Sequence, residues 1–181
     1  MAERYIEIQG GRRLAGGRIA IAGSSNQVTK CIIAAMLTDD DVVIKGAPDV
    51  DERKSVEHLF TSLGGKIEHP EQDVIKLNGR TLSEAVIPEE LCRKNRISIL
   101  CAGPLLHRFR RISFYGALGG DKIGARPVNF HVEGLRQMGA QVEVEGECYH
   151  LSVDDRGLCG AHIILPFPSV MTTRSSVAPG R

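Results

Sequence analysis

The sequence predicts an α/β (α+β) fold made of repeated β-α-β-α-β-β units, two of them complete and a third only begun. Short strand patterns alternate with amphipathic helix patterns, and the same order then recurs. The recurrence extends to residues, since residues 63–68 (LGGKIE) match residues 138–143 (MGAQVE) 75 positions later. Residues 43–46 match residues 113–116 at an offset of 70, so the second copy is five residues longer, in the loop 119–126.

The first unit, residues 16–80, is preceded by residues 1–15, which contain a strand pattern at 5–9. Within the unit we predict strands at 18–22 and 42–46 and a pair of strands at 66–68 and 74–77. Apolar residues at helical spacing place a helix between the first two strands (Val28, Cys31, Ile32, Ala35 and Met36) and another after the second (Val56, Leu59, Phe60 and Leu63).

The second unit, residues 81–158, repeats this order with a strand at 85–87, a helix around 91–100 and a strand at 111–115. A helix with Val128, Val132, Leu135 and Met138 on one face and two strands at 141–144 and 149–153 complete it. Residues 159–170 resemble the start of a third unit. The remainder, 171–181, lacks apolar periodicity and is predicted to be a disordered tail.

Composition limits the range of functions. The 181 residues suit one domain or an incomplete piece of a larger one, with 42% hydrophobic and 25% charged residues. A net charge of +1 argues against nucleic-acid binding, and the basic run 107–111 is explained by a solvated turn. Five cysteines without a Cys-x-x-Cys pair favour reduced thiols, and no apolar run is long enough to span a membrane. We therefore expect a cytoplasmic protein.

The loop from Gly116 to Val128 is the most distinctive stretch. It carries four glycines between Gly116 and Gly124, together with the charged residues Asp121, Lys122 and Arg126. An acid and an anion-binding group on a glycine-rich loop suit a reaction site, although a solvated turn with scattered charges is the alternative. Because only one copy of the repeat is lengthened here, we favour a functional loop.

These residues carry a resemblance to a family. The string Gly119-Gly120-Asp121-Lys122-Ile123-Gly124-Ala125-Arg126-Pro127-Val128, with residues 131, 134–135 and 138–140, closely resembles the UDP-N-acetylglucosamine enolpyruvyltransferases (UDP-N-acetylglucosamine 1-carboxyvinyltransferases). Gly23, Asn26, Arg96 and the stretches 98–99, 103–105, 160–163 and 169–170 fit the same family in the same order. The resemblance covers nearly the whole chain but about the first two-fifths of the family's length. The chain is therefore expected to be a truncated or partial version.

The resemblance implies an inside-out barrel fold of two domains, each of three β-α-β-α-β-β units, with the active site in the cleft between them. It also implies that residues 1–15 join the other domain, and that a second chain is one possible source of that missing domain. The implied reaction transfers the enolpyruvyl group of phosphoenolpyruvate to UDP-N-acetylglucosamine and releases phosphate, the first committed step of peptidoglycan synthesis. The resemblance implies no cofactor, and the six histidines show no metal-binding spacing.

Site residues follow from the resemblance by position. Asp121 stands where the family usually has a cysteine as loop acid, which implies an aspartate proton donor and insensitivity to fosfomycin, an epoxide that alkylates the thiol. Arg96, Arg126 and Ser25 occupy phosphoenolpyruvate-binding positions. The implied UDP-sugar-binding positions are Asn26, Pro127, Val128, Asn129, Phe130, Ser169 and Val170. His131 is interpreted as a packing or capping residue.

Three departures from the family pattern keep other functions open. Ser25 replaces a usual lysine, Asn129 a usual aspartate and Met171 a usual glycine, whose replacement could block close approach of the backbone to phosphate. Lys30, five positions after Ser25, is a poor geometric substitute for that lysine. One alternative is a paralogue that uses another nucleotide acceptor, and a second is a non-catalytic half-domain that binds a partner chain. The related shikimate-pathway transferase is less favoured, because its lysine-bearing N-terminal signature is absent.

Overall fold

Two units, each containing a β-sheet and its helices, make up the described part of the molecule. The computed structural model describes residues 5–11, 13, 16–83, 85–94, 96–116, 118, 128–166 and 168–175. Among these residues, no helix has both the length and the apolar character needed to cross a lipid bilayer.

The first unit begins with helix α1 (Ser25–Ala34), which continues as a 3-10 turn (Ala35–Leu37). Strand β1 (Asp41–Lys45), helix α2 (Asp51–Ser62) and strands β2 (Lys66–Glu71) and β3 (Val74–Asn78) follow. The sheet has the order β1-β3-β2 with antiparallel pairs, and Val43 lies opposite Lys76. The two helices and three of the predicted strands are thereby confirmed.

The second unit has a four-stranded sheet. Its strands lie in the order β4 (Val86–Ile87), β5 (Arg111–Phe114), β7 (Cys148–Ser152) and β6 (Gln141–Glu145), and β4 and β5 are parallel whereas the other pairs are antiparallel. The predicted helix around 91–100 is divided, because a 3-10 helix separates two α-helices. The elements are β4 (Val86–Ile87), α3 (Glu89–Lys94), the 3-10 helix (Arg96–Cys101), α4 (Ala102–Phe109), β5 (Arg111–Phe114), α5 (Asn129–Gln137), β6 (Gln141–Glu145), β7 (Cys148–Ser152) and, beyond the unit, α6 (Val170–Ser175).

Two predicted strands, residues 5–9 and 18–22, are wrong in this structure, and residues 160–166, at the start of the predicted third unit, form no strand either. All three segments follow irregular paths, with Ile6, Ile21 and Ile164 exposed by 89%, 94% and 77%. Each segment contains apolar residues, but a strand forms only where its backbone groups meet a neighbouring strand. In the part of the chain that the structure describes, none of the three is paired with a strand.

The predicted disordered tail is also partly wrong, because its described residues lie in helix α6. The hydroxyl oxygen of Ser169 lies 3.4 Å from the backbone nitrogen of Thr172 and accepts its hydrogen bond, as a helix cap does. Thr172 is 1% exposed and Met171 packs against the core, so this short helix is held by burial as well as by its cap. Residues 176–181 of the predicted tail lie outside the described residues.

Helices form the interior of the molecule and the sheets cover it. One continuous hydrophobic cluster joins side chains from both units, including Ile32 and Phe60 from the first and Ile99, Leu105 and Leu135 from the second. The outward faces of the sheets leave apolar residues partly open to solvent, such as Val43, Tyr115 and Val144. The two units therefore share one core.

Arg108 joins the two units through hydrogen bonds and corrects the prediction that residues 107–111 form a solvated turn. From the last turn of α4, its guanidinium donates to the carbonyl oxygens of Met36 (3.2 Å), Thr38 (3.3 Å) and Gly79 (3.1 Å) and pairs with Asp39 (2.6 Å). Its side chain is 16% exposed. Carbonyl groups at the end of the first unit's leading helix are thus satisfied by a residue of the second unit.

Candidate functional site

The described residues of the predicted site all lie at the beginnings of helices. Ser25 and Asn26 open α1, Arg96 opens the 3-10 helix, and the remaining residues lie at the starts of α5 (Val128, Asn129 and Phe130) and α6 (Ser169 and Val170). The 3-10 helix contacts both α1 and α6, and α6 contacts α5. The structure therefore brings the four helices together. Asp121, Arg126 and Pro127 lie outside the described residues.

The start of α1 is ordered by its own polar side chains. Ser24 has extended backbone angles (φ −79°, ψ 119°), and its hydroxyl oxygen accepts a hydrogen bond from the Gln27 backbone nitrogen (3.3 Å). The Thr29 hydroxyl donates to the carbonyl oxygen of Ser25 at 3.3 Å, and the Lys30 ammonium donates to that hydroxyl at 3.1 Å. The positive end of the helix dipole and the Lys30 ammonium therefore lie within the first two turns of α1.

Arg96 and His131 form the most electrostatically perturbed part of the described site. The His131 side chain is 1% exposed, and this burial, together with the positive charge of Arg96, lowers the pKa of its imidazole to about 4. The imidazole is therefore neutral at neutral pH. The Arg96 side chain is half-buried, and its positive charge is not joined by a second positive charge on the ring.

His131 was interpreted from sequence as a packing or capping residue. Its burial agrees with packing, but its location next to the Arg96 charge adds an electrostatic role that the interpretation missed. The sequence did indicate that His131 lies near the site, because it stands two residues after Asn129 among the residues that carry the family resemblance. Nothing local in the sequence indicates that residue 96, from a different helix, lies beside it.

The side chains at the starts of α5 and α6 differ in their exposure to solvent. Val128 is buried, Phe130 is half-buried and Asn129 is exposed on the first turn of α5. Val170 is 67% exposed, while the Met171 side chain packs against the core. The Met171 side chain points inward, so it does not occupy the outer surface at the start of α6. The sequence had suggested that this side chain could block close approach of the backbone to phosphate.

An open groove of about 550 Å³ runs along α5. One wall is formed by α5 itself, including Asn129 and Phe130, and the other by residues 163–166. Glu133, Arg136 and Gln137 supply polar groups, and Val144 and Tyr149 supply apolar surface. Three residues assigned to UDP-sugar binding (Val128, Asn129 and Phe130) thus line a cavity large enough for part of such a ligand.

The described geometry suits an anionic ligand. Two cations, Arg96 and Lys30, accompany the N-termini of α1 and α5, and helix N-termini attract negative charge through their unpaired backbone N–H groups. Among the described residues, no group of three or more His, Cys, Asp or Glu side chains could hold a metal ion.

Two curated proteins to which the chain is similar carry the same name. UDP-N-acetylglucosamine 1-carboxyvinyltransferase from Chlamydia trachomatis serovar D is 34% identical over 168 residues, which are 92% of this chain and 38% of that protein. The enzyme of the same name from Maricaulis maris is 37% identical over 174 residues, covering 95% of this chain and 40% of the relative. The chain thus spans about two-fifths of the length of these curated relatives.

A solved structure shows the same fold. EPSP synthase from Acinetobacter baumannii superposes with a TM-score of 0.68 and 18% identity, over 88% of this chain and 37% of that one. The family model described as EPSP synthase (3-phosphoshikimate 1-carboxyvinyltransferase) matches residues 8–178. The family model and the curated relatives agree, and the chain belongs to this carboxyvinyltransferase (enolpyruvyltransferase) family.

Proposed function

We propose that this chain is the N-terminal portion of an enzyme that transfers the enolpyruvyl group of phosphoenolpyruvate to UDP-N-acetylglucosamine, releases phosphate and works in the cytoplasm. The observation that carries the proposal is the 34–37% identity to transferases of that name along more than nine-tenths of the chain. The chain's match to about two-fifths of each relative supports a partial version of the enzyme.

The reaction has two steps whose protons balance. The acceptor hydroxyl oxygen bonds to C2 of phosphoenolpyruvate while the Asp121 carboxyl group protonates the C3 methylene, and a base takes the hydroxyl proton. The C2–O bond to phosphate then breaks, C3 loses a proton, and the enol ether and inorganic phosphate form. Asp121 acts as donor when a closed loop keeps its carboxyl group protonated.

The cations have distinct tasks in this scheme. Arg96 and Arg126 bind the phosphoenolpyruvate anion, and Ser25 adds a hydroxyl donor in place of the family's usual lysine. The positive charge of Arg96 helps to keep His131 neutral, so a second positive charge does not develop beside it at neutral pH. Lys30, held at the start of α1 through Thr29, supplies positive charge on the same helix.

The UDP-sugar is assigned to the remaining positions. Asn26 contacts the sugar, residues 127–130 the uridine, and Ser169 and Val170 the diphosphate. The support is the groove along α5, which Asn129 and Phe130 line, and the inward orientation of Met171, which leaves the start of α6 accessible.

Ligand binding tests the assignment with a matched pair of variants. We expect isothermal titration to detect UDP-N-acetylglucosamine binding, and phosphoenolpyruvate binding that weakens at least about tenfold in Arg96→Ala. Arg93→Ala is the control, because Arg93 lies one turn away and pairs with Glu89 and Glu147 on the surface. Absence of affinity for any uridine nucleotide, with retained binding of another nucleotide, would instead support the paralogue with a different acceptor.

A second candidate is a half-domain that binds a partner chain carrying the rest of the enzyme. Four exposed apolar side chains favour it: Tyr5, Ile6, Ile8 and Ile164, each more than three-quarters exposed. Measured phosphate release from phosphoenolpyruvate by the purified chain alone would rule this candidate out. Release only after addition of the missing portion would support it, and that release should persist in the presence of fosfomycin.

A further inference from the structure

Arg53 is a buried cation that the proposed reaction does not use. It lies on α2, and its side chain is 7% exposed. One Nη atom of its guanidinium donates to the carbonyl oxygen of Ala47 at 3.3 Å, and the other donates to the Asp49 carboxylate at 3.2 Å. Its Nε atom lies 3.1 Å from a carboxylate oxygen of Glu57, one turn further along α2. Three acceptors thus share the charge of one buried side chain.

Packing alone does not require an ion pair at this place in the repeat. At the offset of 75 residues, Arg53 and Glu57 correspond to Val128 and Val132, which are 6% and 5% exposed. A buried ion pair contributes little net stability compared with apolar side chains of similar volume, because both charges lose their hydration. The charges of the first unit therefore need a reason other than packing, and the partners of Arg53 supply one.

Two of these partners lie on the 46–50 loop, which joins β1 to α2. Ala47 and Asp49 stand on either side of Pro48, so one guanidinium holds the loop at two points. Ala47 is 2% exposed, and its backbone nitrogen donates to the carbonyl oxygen of Asp73 at 2.8 Å, in the turn between β2 and β3. The loop is therefore fixed both by α2 and by the sheet.

The same loop lies against the chain that enters α1. A Cβ atom built on Gly23 would overlap the carbonyl oxygen of Gly46 and would lie 3.5 Å from the Cδ atom of Pro48. Only a residue without a side chain permits this approach. Gly23 directly precedes Ser24, which caps α1. The position of the loop therefore bears on the place where the first turn of α1 begins.

We propose that Arg53 is a positioning residue for the candidate site. Its hydrogen bonds hold the 46–50 loop against Gly23, and this contact sets the position of the first turn of α1, where Ser25 and Asn26 lie. Arg53 acts on these two residues through the loop and not by contact with a ligand. This role holds for any ligand at the start of α1 and does not depend on the proposed reaction.

A double variant that carries Arg53→Val and Glu57→Val tests this role. It places in the first unit the residue type that the second unit has at both equivalent positions, and it leaves no unpaired charge of the pair in the core. Its melting temperature should therefore lie within a few degrees of the wild-type value. The loop, however, loses the donor that holds it at Ala47 and Asp49.

Hydrogen exchange on the full chain measures the consequence at α1. The backbone amides of Gln27 and Val28, which both donate to Ser24, should exchange at least about tenfold faster in the double variant than in the wild type. The amide of Ile32, later in the same helix, should keep its wild-type rate. Unchanged rates at Gln27 and Val28 would overturn the proposal, and so would an equal increase at Ile32, because that would indicate general loosening of the helix.

Two single variants complete the exchange measurement. Lys54→Met is the matched control, because Lys54 also pairs with Asp49, at 2.9 Å, but from a side chain that is 54% exposed. It should leave the first turn of α1 unchanged. Arg53→Lys keeps the charge beside Glu57 but lacks the fork of donors that reaches both Ala47 and Asp49, so it should accelerate exchange as the double variant does. Wild-type exchange in Arg53→Lys would contradict the role of the fork.

Phosphoenolpyruvate binding gives a readout that rests on the proposed function. The double variant should bind phosphoenolpyruvate at least about threefold more weakly, because Ser25 is no longer held in the binding geometry. Equal affinity of the double variant and the wild type would overturn a positioning role at the site. If the wild-type chain itself binds no phosphoenolpyruvate, the proposed function fails, whereas the exchange rates still decide whether Arg53 holds the start of α1.

Discussion

His131 shows how one buried side chain makes the protein's stability depend on pH. In the folded chain burial holds the pKa of the imidazole at about 4, below the ordinary value of 6.5 that applies to the unfolded chain. Between these values the unfolded state binds a proton that the folded state does not. The contribution of neutral, buried His131 to the stability of the folded chain is therefore complete above pH 6.5, and it is lost as the pH falls towards 4.

We expect the free energy of unfolding to decrease by up to about 3 kcal/mol between pH 6.5 and pH 4 because of this residue. Urea unfolding of the wild-type chain and of His131→Gln at half-unit steps of pH measures the effect. Between pH 6.5 and pH 4, the free energy of unfolding of His131→Gln should lose most of its dependence on pH. His107→Gln, which changes an exposed histidine, should keep that dependence. A slope that survives in His131→Gln would show that other groups cause it.

At the scale of single residues, what the sequence could predict depended on how far away along the chain a residue's partners lie. The roles given to positions 119–128 come from the resemblance alone and stay predictions. The environment of His131 could not be assigned, because the Arg96 charge comes from a segment 35 residues earlier in the chain. The role of Asp121 stays a prediction.

At the scale of elements, helix α2 lacks a feature that α1 has. Ser24 caps α1 through its hydroxyl, whereas Val50 precedes α2 with extended angles (φ −129°, ψ 151°) and makes no side-chain cap hydrogen bond. The acidic residues Asp51 and Glu52 in the first turn of α2 favour the helix dipole but leave backbone N–H groups without a cap.

Val50→Thr should stabilise the protein by about 0.5–1 kcal/mol, because threonine has nearly the same shape and its hydroxyl can accept from the first turn. Val50→Ala shortens the side chain without adding an acceptor and should bring no gain. The converse change, Ser24→Ala, should cost about 1 kcal/mol at α1. Thermal unfolding of the three variants checks the pattern, and an equal stability of Val50→Thr and the wild type would contradict it.

Elements defined by local periodicity were predictable, and elements defined by a distant neighbour were not. The apolar faces of α1, α2 and α5 follow from spacing along the sequence alone. The alternating pattern of residues 5–9 is equally clear, yet this segment remains unpaired in the described structure. A strand needs a second segment to complete its hydrogen bonds, and sequence periodicity does not say where that segment lies.

At the scale of the whole molecule, Arg108 is a polar link between the two units within the described residues. Its partners are 29 to 72 residues away along the chain, which explains why the basic run suggested only a solvated turn. Its removal would leave three carbonyl oxygens and the Asp39 carboxylate without this donor.

Arg108→Met should therefore reduce the free energy of unfolding by about 2–4 kcal/mol, within one cooperative transition because the units share a core. Arg108→Lys should recover only part of the loss, since an ammonium cannot reproduce the planar arrangement of donors. Arg156→Met is the matched control, because Arg156 is 82% exposed and its ion pair is with Asp154, two residues away along the chain. Guanidinium unfolding of the three variants would contradict this view if Arg108→Met and Arg156→Met were equally stable.

The Arg108 contact also gives the pair of units a direction. The arginine belongs to the second unit and its acceptors to the first, and the repeat places Thr38, a residue with a short side chain, at the equivalent position of the first unit. The first unit therefore has the acceptors of this contact but not its donor, and the second unit has the donor. The first unit cannot make the same contact to another unit, so this polar joint is specific to the pair.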